Sequence, residues 1–369
     1  QLPLFQERIN LNSFDGGVYD MKVTPDKGYI ISGAYRSSSG NNPTFLIKLN
    51  SFGVIEWQKA IHLNANPVIV FRFYPRKVMV MPDGGYAIFS EHEISTMNHG
   101  SMLTQYDKNG NLLWNKNMVF ETQAHSFTDA IATSDNGFAF ISLNNFRSNI
   151  CKLNANGNVT WVKHFNIPAG SVLHMKGITE LNNSFYLVGR GSSIQGLNVV
   201  NLLVNLDKVT GQFNWCKSLG SNTNFQELAI TSINSFNNKL IVGGSFDLDQ
   251  TTGRYNQGVF RFAENGVLEK AIKIQNGNNR IFTDNLFYPI PLSEDGYYAA
   301  HTLIYWDPNI YTLFDTAAII YRLNNDGQIV WQRQYNHWQG SESIISIKNT
   351  VDGGFVAAGV RLGALPSST

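Results

Sequence analysis

The sequence predicts an all-β fold: a seven-bladed β-propeller of four-stranded antiparallel blades, closed by an N-terminal strand that completes the C-terminal blade. Three observations lead there. A glycine turn followed four residues later by an aromatic recurs as Gly53…Trp57, Gly110…Trp114, Gly157…Trp161, Gly211…Trp215 and Gly327…Trp331, and Gly266…Lys270 keeps the frame without the Trp. A second turn, rich in Asp, Asn and Gly, recurs at Asp26–Gly28, Asp83–Gly85, Asp135–Gly137, Asn182–Ser184, Asn237–Asn238, Asp295–Gly296 and Asp352–Gly354. The unit spans about fifty residues, a period that suits propeller blades better than helical solenoids. Third, the ends complement each other. Leu4–Ile9 reads as a lone last strand, with Phe5 in the Trp place, and Phe355–Gly359 as a first pair without its last strand.

Each unit reads as four strands, A to D. In the first they are Val18–Val23, Tyr29–Gly33, Thr44–Lys48 and Val54–Lys59. The B strands (Phe138–Ser142, Phe185–Gly189, Leu240–Gly244) are nearly continuous apolar runs, which implies burial on both faces between neighbouring sheets. A-to-B and C-to-D turns are short and carry residues suited to positive φ. B-to-C connections are long and mutually unlike: Tyr35–Pro43, Glu91–Gly100, Arg190–Val199, Phe246–Gln257 and Leu303–Asp315. They leave each sheet on the same side as the D-to-A crossings, so one side is plain and the other elaborated. The blades are expected at roughly 16–62, 72–120, 127–166, 172–219, 226–275, 284–336, and 342–369 with 1–10, all in one domain, 1–369. One strand of the seventh blade is unaccounted for, which predicts that the natural chain continues beyond Thr369.

Composition limits the partners. Charged residues are 15% of the chain and the net charge is +1, so neither nucleic acid nor an anionic membrane is an expected partner. There is no run of eighteen apolar residues to insert in a bilayer. Cys151 takes the place of Ile47 in its repeat and is expected buried; Cys216 takes that of Gln58 and is expected to face the other way. Two free thiols do not fix the compartment.

Asp207-Lys-Val-Thr-Gly211-Gln-Phe-Asn-Trp215 resembles the Asp-x-x-Thr-Gly-x-x-x-Trp signature of PQQ-like propellers. That family includes quinone-dependent alcohol dehydrogenases, whose adjacent cysteines this chain lacks, and a lipoprotein of outer-membrane assembly. The Asp-Gly-Gly-Tyr turns, the low charge and the many Asn residues also resemble secreted surface propellers of the Bacteroidota exported by the type 9 secretion system. The resemblance implies a location outside the cell or on its surface, after removal of a signal peptide, and membership of an outer-membrane or surface complex.

Candidate binding residues lie on the elaborated side near the sixth blade. Tyr305, Trp306 and Tyr311 fall in the longest B-to-C connection, and His337 and Trp338 in the next crossing. Aromatics there suit stacking on a sugar or anchoring a protein; the plainer reading is that a long connection uses them to order itself. Asp247 and Asp249 loosely resemble a calcium loop, but the glycine is misplaced and no closing Glu follows. No zinc, nucleophile-elbow or phosphate-loop pattern occurs, and no cofactor is expected. The expected function is therefore a non-catalytic module that binds a protein or glycan. The alternatives are a glycan hydrolase or lyase, a quinone-dependent dehydrogenase, or a structural subunit of a surface assembly.

Overall fold

The computed structural model describes residues 15–36, 44–61, 72–95, 98–118, 126–144, 147–165, 171–193, 199–219, 229–249, 254–274, 281–283, 288–291, 296–307, 312–335 and 340–363. Every regular element among them is a strand, and all the register pairs are antiparallel. The chain divides into two compact units: residues 1–165 with 350–358, and residues 166–349 with 359–369.

The first unit holds three meanders. They are β1 (Asp15–Val23), β2 (Tyr29–Arg36), β3 (Thr44–Leu49) and β4 (Ile55–Ile61); β5 (Arg72–Val80), β6 (Tyr86–Ser95), β7 (Asn98–Tyr106) and β8 (Leu112–Met118); and β9 (Ser126–Ala132), β10 (Phe138–Asn144), β11 (Arg147–Leu153) and β12 (Val159–His164). In the second unit come β13 (Ser171–Leu181), β14 (Ser184–Ser193), β15 (Val199–Asp207) and β16 (Phe213–Leu219), then β17 (Ala229–Phe236), β18 (Lys239–Asp249), β19 (Arg254–Ala263) and β20 (Leu268–Ile274). The next sheet has a split first strand, β21 (Ile281–Thr283) and β22 (Tyr288–Pro291), beside β23 (Tyr297–Asp307), β24 (Thr312–Leu323) and β25 (Ile329–Tyr335). The last strands are β26 (Gly340–Asn349) and β27 (Phe355–Gly363).

Two expectations are corrected. Among the described residues four sheets of four or five strands stand alone (β1–β4, β5–β8, β17–β20 and β21–β25), not seven; β9–β16 and β26–β27 do not make separate four-stranded sheets. Turns count repeats, but hydrogen bonding decides where a sheet stops. The proposed closing strand at 1–10 lies outside the described residues. From the C-terminal side, Val356 and Ala358 do pack against the cluster of Met21, Tyr29, Ile31, Phe45, Ile47 and Leu49. The B-to-C connections also differ from the expected loops. β18 and β19 continue to Asp249 and from Arg254, and β23 and β24 to Asp307 and from Thr312, so most of these stretches is paired ladder.

Burial follows the strand's place in its sheet. Phe138, Ala139, Phe140 and Ile141 in β10 are all buried, and Phe140 meets Phe89 of the preceding sheet at 4.8 Å between ring centroids. Cys151 is buried in the same cluster and Cys216 is exposed, both as expected. Four C-to-D turns repeat one geometry: the side chain of Asn50, Asp107, Asn154 or Asn324 accepts two backbone N–H groups, as Asn50 does from Phe52 and Val54, and a glycine takes positive φ. Asp207 does the same for Val209 and Thr210 in a turn one residue longer.

Three of the Trp residues that follow these turns reach forward. A Cβ built on Gly110 would lie 2.8 Å from Trp57, one on Gly157 2.7 Å from Trp114, and one on Gly266 2.6 Å from Trp215. Each indole thus sits on the bare backbone of the next sheet's turn. Where Lys270 replaces Trp, Ile272 takes that contact with Gly327. A cation two residues after the Trp adds a second tie: Lys116 Nζ donates to Asn156 O and Asn158 Oδ1, both at 2.6 Å, and Lys217 Nζ to Asn265 O at 2.7 Å. Among the described residues all six D strands carry a register shift just before the aromatic position, at Glu56, Leu113, Thr160, Asn214, Glu269 and Val330.

Candidate functional site at the hairpin ends

The sheet β21–β25 carries the candidate binding residues that can be placed. Tyr305 stands opposite Asp315 of β24 and opposite Ile281 of β21; Trp306 stands opposite Leu313, with a register shift between them. They are consecutive positions of one strand, near the end of its pairing with β24. β21 pairs with β23 at Leu303, Ile304 and Tyr305, so this hairpin is three strands wide near its tip. Tyr311, His337 and Trp338 lie outside the described residues.

Asp247 and Asp249 are not in a loop. Asp249 is paired with Arg254, and Asp247 falls at the shift between Phe246 and Leu248, on a ladder running to the hairpin end. Among the described residues no group of three or more His, Cys, Asp or Glu side chains is placed to hold a metal ion.

The first strands hold a feature that the sequence reading missed. β1, β5, β9, β13 and β17 each carry an extra residue relative to their partner: Tyr19, Arg76, Thr128, Lys176 and Thr231. Such bulges re-aim side chains and raise local twist. The extra residues share no chemistry, so no residue type marked them.

In the first unit the bulged strands carry a ladder of charge. Arg76 pairs with Glu91 at 2.7 Å, and Glu91 accepts the Phe127 N–H of the next sheet. Lys77 pairs with Asp129 at 2.9 Å. Asp20 accepts from Met21 N at 2.8 Å and from Val78 N of the next sheet at 3.3 Å. These carboxylates are thus engaged in tying sheet to sheet. The second unit differs. His174 stands opposite Arg190 in the ladder, with Lys176 two residues on, and its buried Nε2 has no partner. Burial, then the charges of Lys176 and Arg190, holds the imidazolium below the usual histidine range.

In sequence, the chain matches no protein-family model and no curated protein. Solved structures similar to it include the β-propeller domain of the Trilobed protease from Pyrococcus furiosus, described as having an open velcro topology. That match is 8% identical, covers 97% of this chain and 98% of that one, and has a TM-score of 0.53. Extracellular domains 1–2 of Drosophila Semaphorin 1a match at 10% identity over 96% and 87% of the two chains, with a TM-score of 0.54. A Bacteroides caccae protein of unknown function matches at 13% identity over 83% and 93%, with a TM-score of 0.43. The first two likenesses show the fold: an all-β chain of small antiparallel sheets in a propeller arrangement.

Proposed function

We propose that this chain is a non-catalytic interaction module, secreted or displayed on a bacterial surface, that binds a protein or glycan at the hairpin ends of its sheets. One observation supports the reading above others: the two ends of each sheet are built differently. At the turn end the same hydrogen bonds and glycine geometry repeat from sheet to sheet. At the opposite end the hairpins differ in length, and among the described residues β23–β24, widened by β21, has the longest paired ladder and bears Tyr305 and Trp306. Variable elements on a uniform frame are where recognition is usually built. Low charge and frequent Asn fit the resemblance to surface propellers of the Bacteroidota, which supports an exported protein within a surface assembly. No specific observation favours the glycan hydrolase, lyase or dehydrogenase readings.

The test is alanine substitution at Tyr305, Trp306, Tyr311, His337 and Trp338, with binding read on a glycan array and on immobilised surface-protein extract. Loss of at least tenfold in affinity at one or more positions, with melting unchanged, is the expected result. Five variants that all bind like the parent overturn this location for the site.

A further inference from the structure

Two sheets of the first unit bury an ammonium group beneath the A-to-B turn. Lys48 Nζ donates to Asp26 Oδ2 at 2.7 Å, to Leu49 O at 3.0 Å and to Glu56 Oε2 at 2.8 Å. Lys152 Nζ donates to Asp135 Oδ1 at 3.0 Å and to Leu153 O at 2.9 Å. Each lysine is only 3% exposed. In each turn the aspartate also accepts the glycine N–H, of Gly28 or Gly137. The cation therefore neutralises a carboxylate already fixed by the backbone.

The sheet between them keeps the oxygens and changes the cation. Gln105 stands opposite Trp114 as Lys48 stands opposite Trp57 and Lys152 opposite Trp161. Asp83 still accepts the Gly85 N–H, at 2.8 Å. Leu113 takes the place of Glu56 at the register shift. Gln105 is 8% exposed, and its Oε1 is buried without a donor. A Cβ built on Gly28 or Gly137 would lie 2.6 or 2.5 Å from the lysine nitrogen. On Gly85 it would meet Tyr106 O at 2.6 Å and Asp83 Oδ1 at 3.1 Å, then nothing nearer than Asp107 Cα at 3.7 Å.

We infer that the Asp83 carboxylate, the Tyr106 carbonyl and Gln105 Oε1 form a site for a monovalent cation, sodium or potassium, in the place that lysine ammonium fills in the flanking sheets. The donor set is all oxygen, as alkali ions require. It carries one negative charge, matching the single positive charge of Lys48 and Lys152, whereas a divalent ion asks for more carboxylates. A cation that binds only the folded chain stabilises it in proportion to occupancy.

The experiment is thermal melting of the full chain in NaCl, KCl or N-methylglucamine chloride at equal ionic strength. The expected result is a melting temperature several degrees higher, and saturable, in sodium or potassium. Gln105→Lys, which supplies its own ammonium, melts higher than the parent in N-methylglucamine and no longer responds to the cation. Asp83→Asn, a solvent-facing change that keeps the turn, loses the response as well. Identical melting of the parent in all three salts means that water fills the place, and overturns the site. A response that persists in Gln105→Lys or Asp83→Asn puts the ion elsewhere and overturns it equally.

Discussion

The indole of Trp114 in β8 rests on the backbone of Gly157 in the following sheet, so closely that a Cβ on the glycine would fall 2.7 Å from its Cη2. Gly157 also holds a φ of +71°, where side chains with a Cβ are strained. Two independent demands thus fall on one residue. They explain why this position is glycine.

Gly157→Ala is therefore expected to destabilise the protein by about 1–3 kcal/mol, combining positive-φ strain with overpacking against the ring. Trp114→Ala removes the ring but leaves the strain, so the double variant should lose less than the sum of the two single losses. Urea unfolding of the four proteins checks this; additive losses would show that the contact is not what constrains the glycine.

Lys48→Met tests the buried ammonium. It leaves Asp26 and Glu56 facing each other without their shared donor. Both carboxylates are about half exposed, so the loss is discounted for solvent screening to about 1–2 kcal/mol. The measurement is the denaturant midpoint at neutral pH. The same substitution at Lys152 should cost less, since that ammonium meets one carboxylate rather than two.

Acid should weaken the turn of the third sheet in a defined window. Burial alone would raise the Asp135 carboxyl, but the Thr133 hydroxyl, Lys152 and the Gly137 N–H outweigh it and hold it at about 2. The folded value lies below that of the unfolded chain. Its contribution is therefore complete above the ordinary carboxyl range, near pH 4, and is lost as pH falls toward about 2. Asp135→Asn should consequently differ from the parent at neutral pH, with the difference closing across that window. Denaturant titrations at successive pH values read it.

One thiol of two should react in the native protein. Cys151 is buried, and burial pushes its thiol up to about 12; Cys216 is exposed. A neutral thiol reagent should label the exposed Cys216 alone, and Cys151 only after denaturation. Peptide mapping by mass spectrometry distinguishes them.

Much of this architecture was legible because its signals are local. A positive-φ glycine four residues before an indole, or Asp-Gly-Gly ahead of an apolar run, is set by backbone sterics within a few residues. Cys151 and Cys216 could be sorted by repeat position alone. The rest depends on register between strands. The bulges at Arg76, Lys176 and the other first-strand positions follow from how two ladders are aligned, and their residue types are unrelated. The same limit made Phe246–Gln257 and Leu303–Asp315 read as loops: they hold paired strands whose register is visible only across the hairpin. For the candidate site, the sequence chose Tyr305 and Trp306 by length and aromatic content. It gave no sign that they are adjacent ladder positions or that β21 flanks one of them. Gln105 went unremarked because a buried amide is ordinary until compared with Lys48 and Lys152.

The kink before the aromatic position in all six D strands has a consequence for colloidal behaviour. Those strands leave apolar side chains in water, among them Ile55, Leu112, Val159, Phe213, Leu268 and Ile329, on a chain with little charge to keep copies apart. A straight ribbon of that composition would invite molecules to join edge to edge into fibrils. The added residue spoils the hydrogen-bond spacing on those strands, so backbone shape adds to the protection that the basic residue of each, Lys59, Lys116, Lys163, Lys217, Lys270 or Arg333, gives against polymerisation.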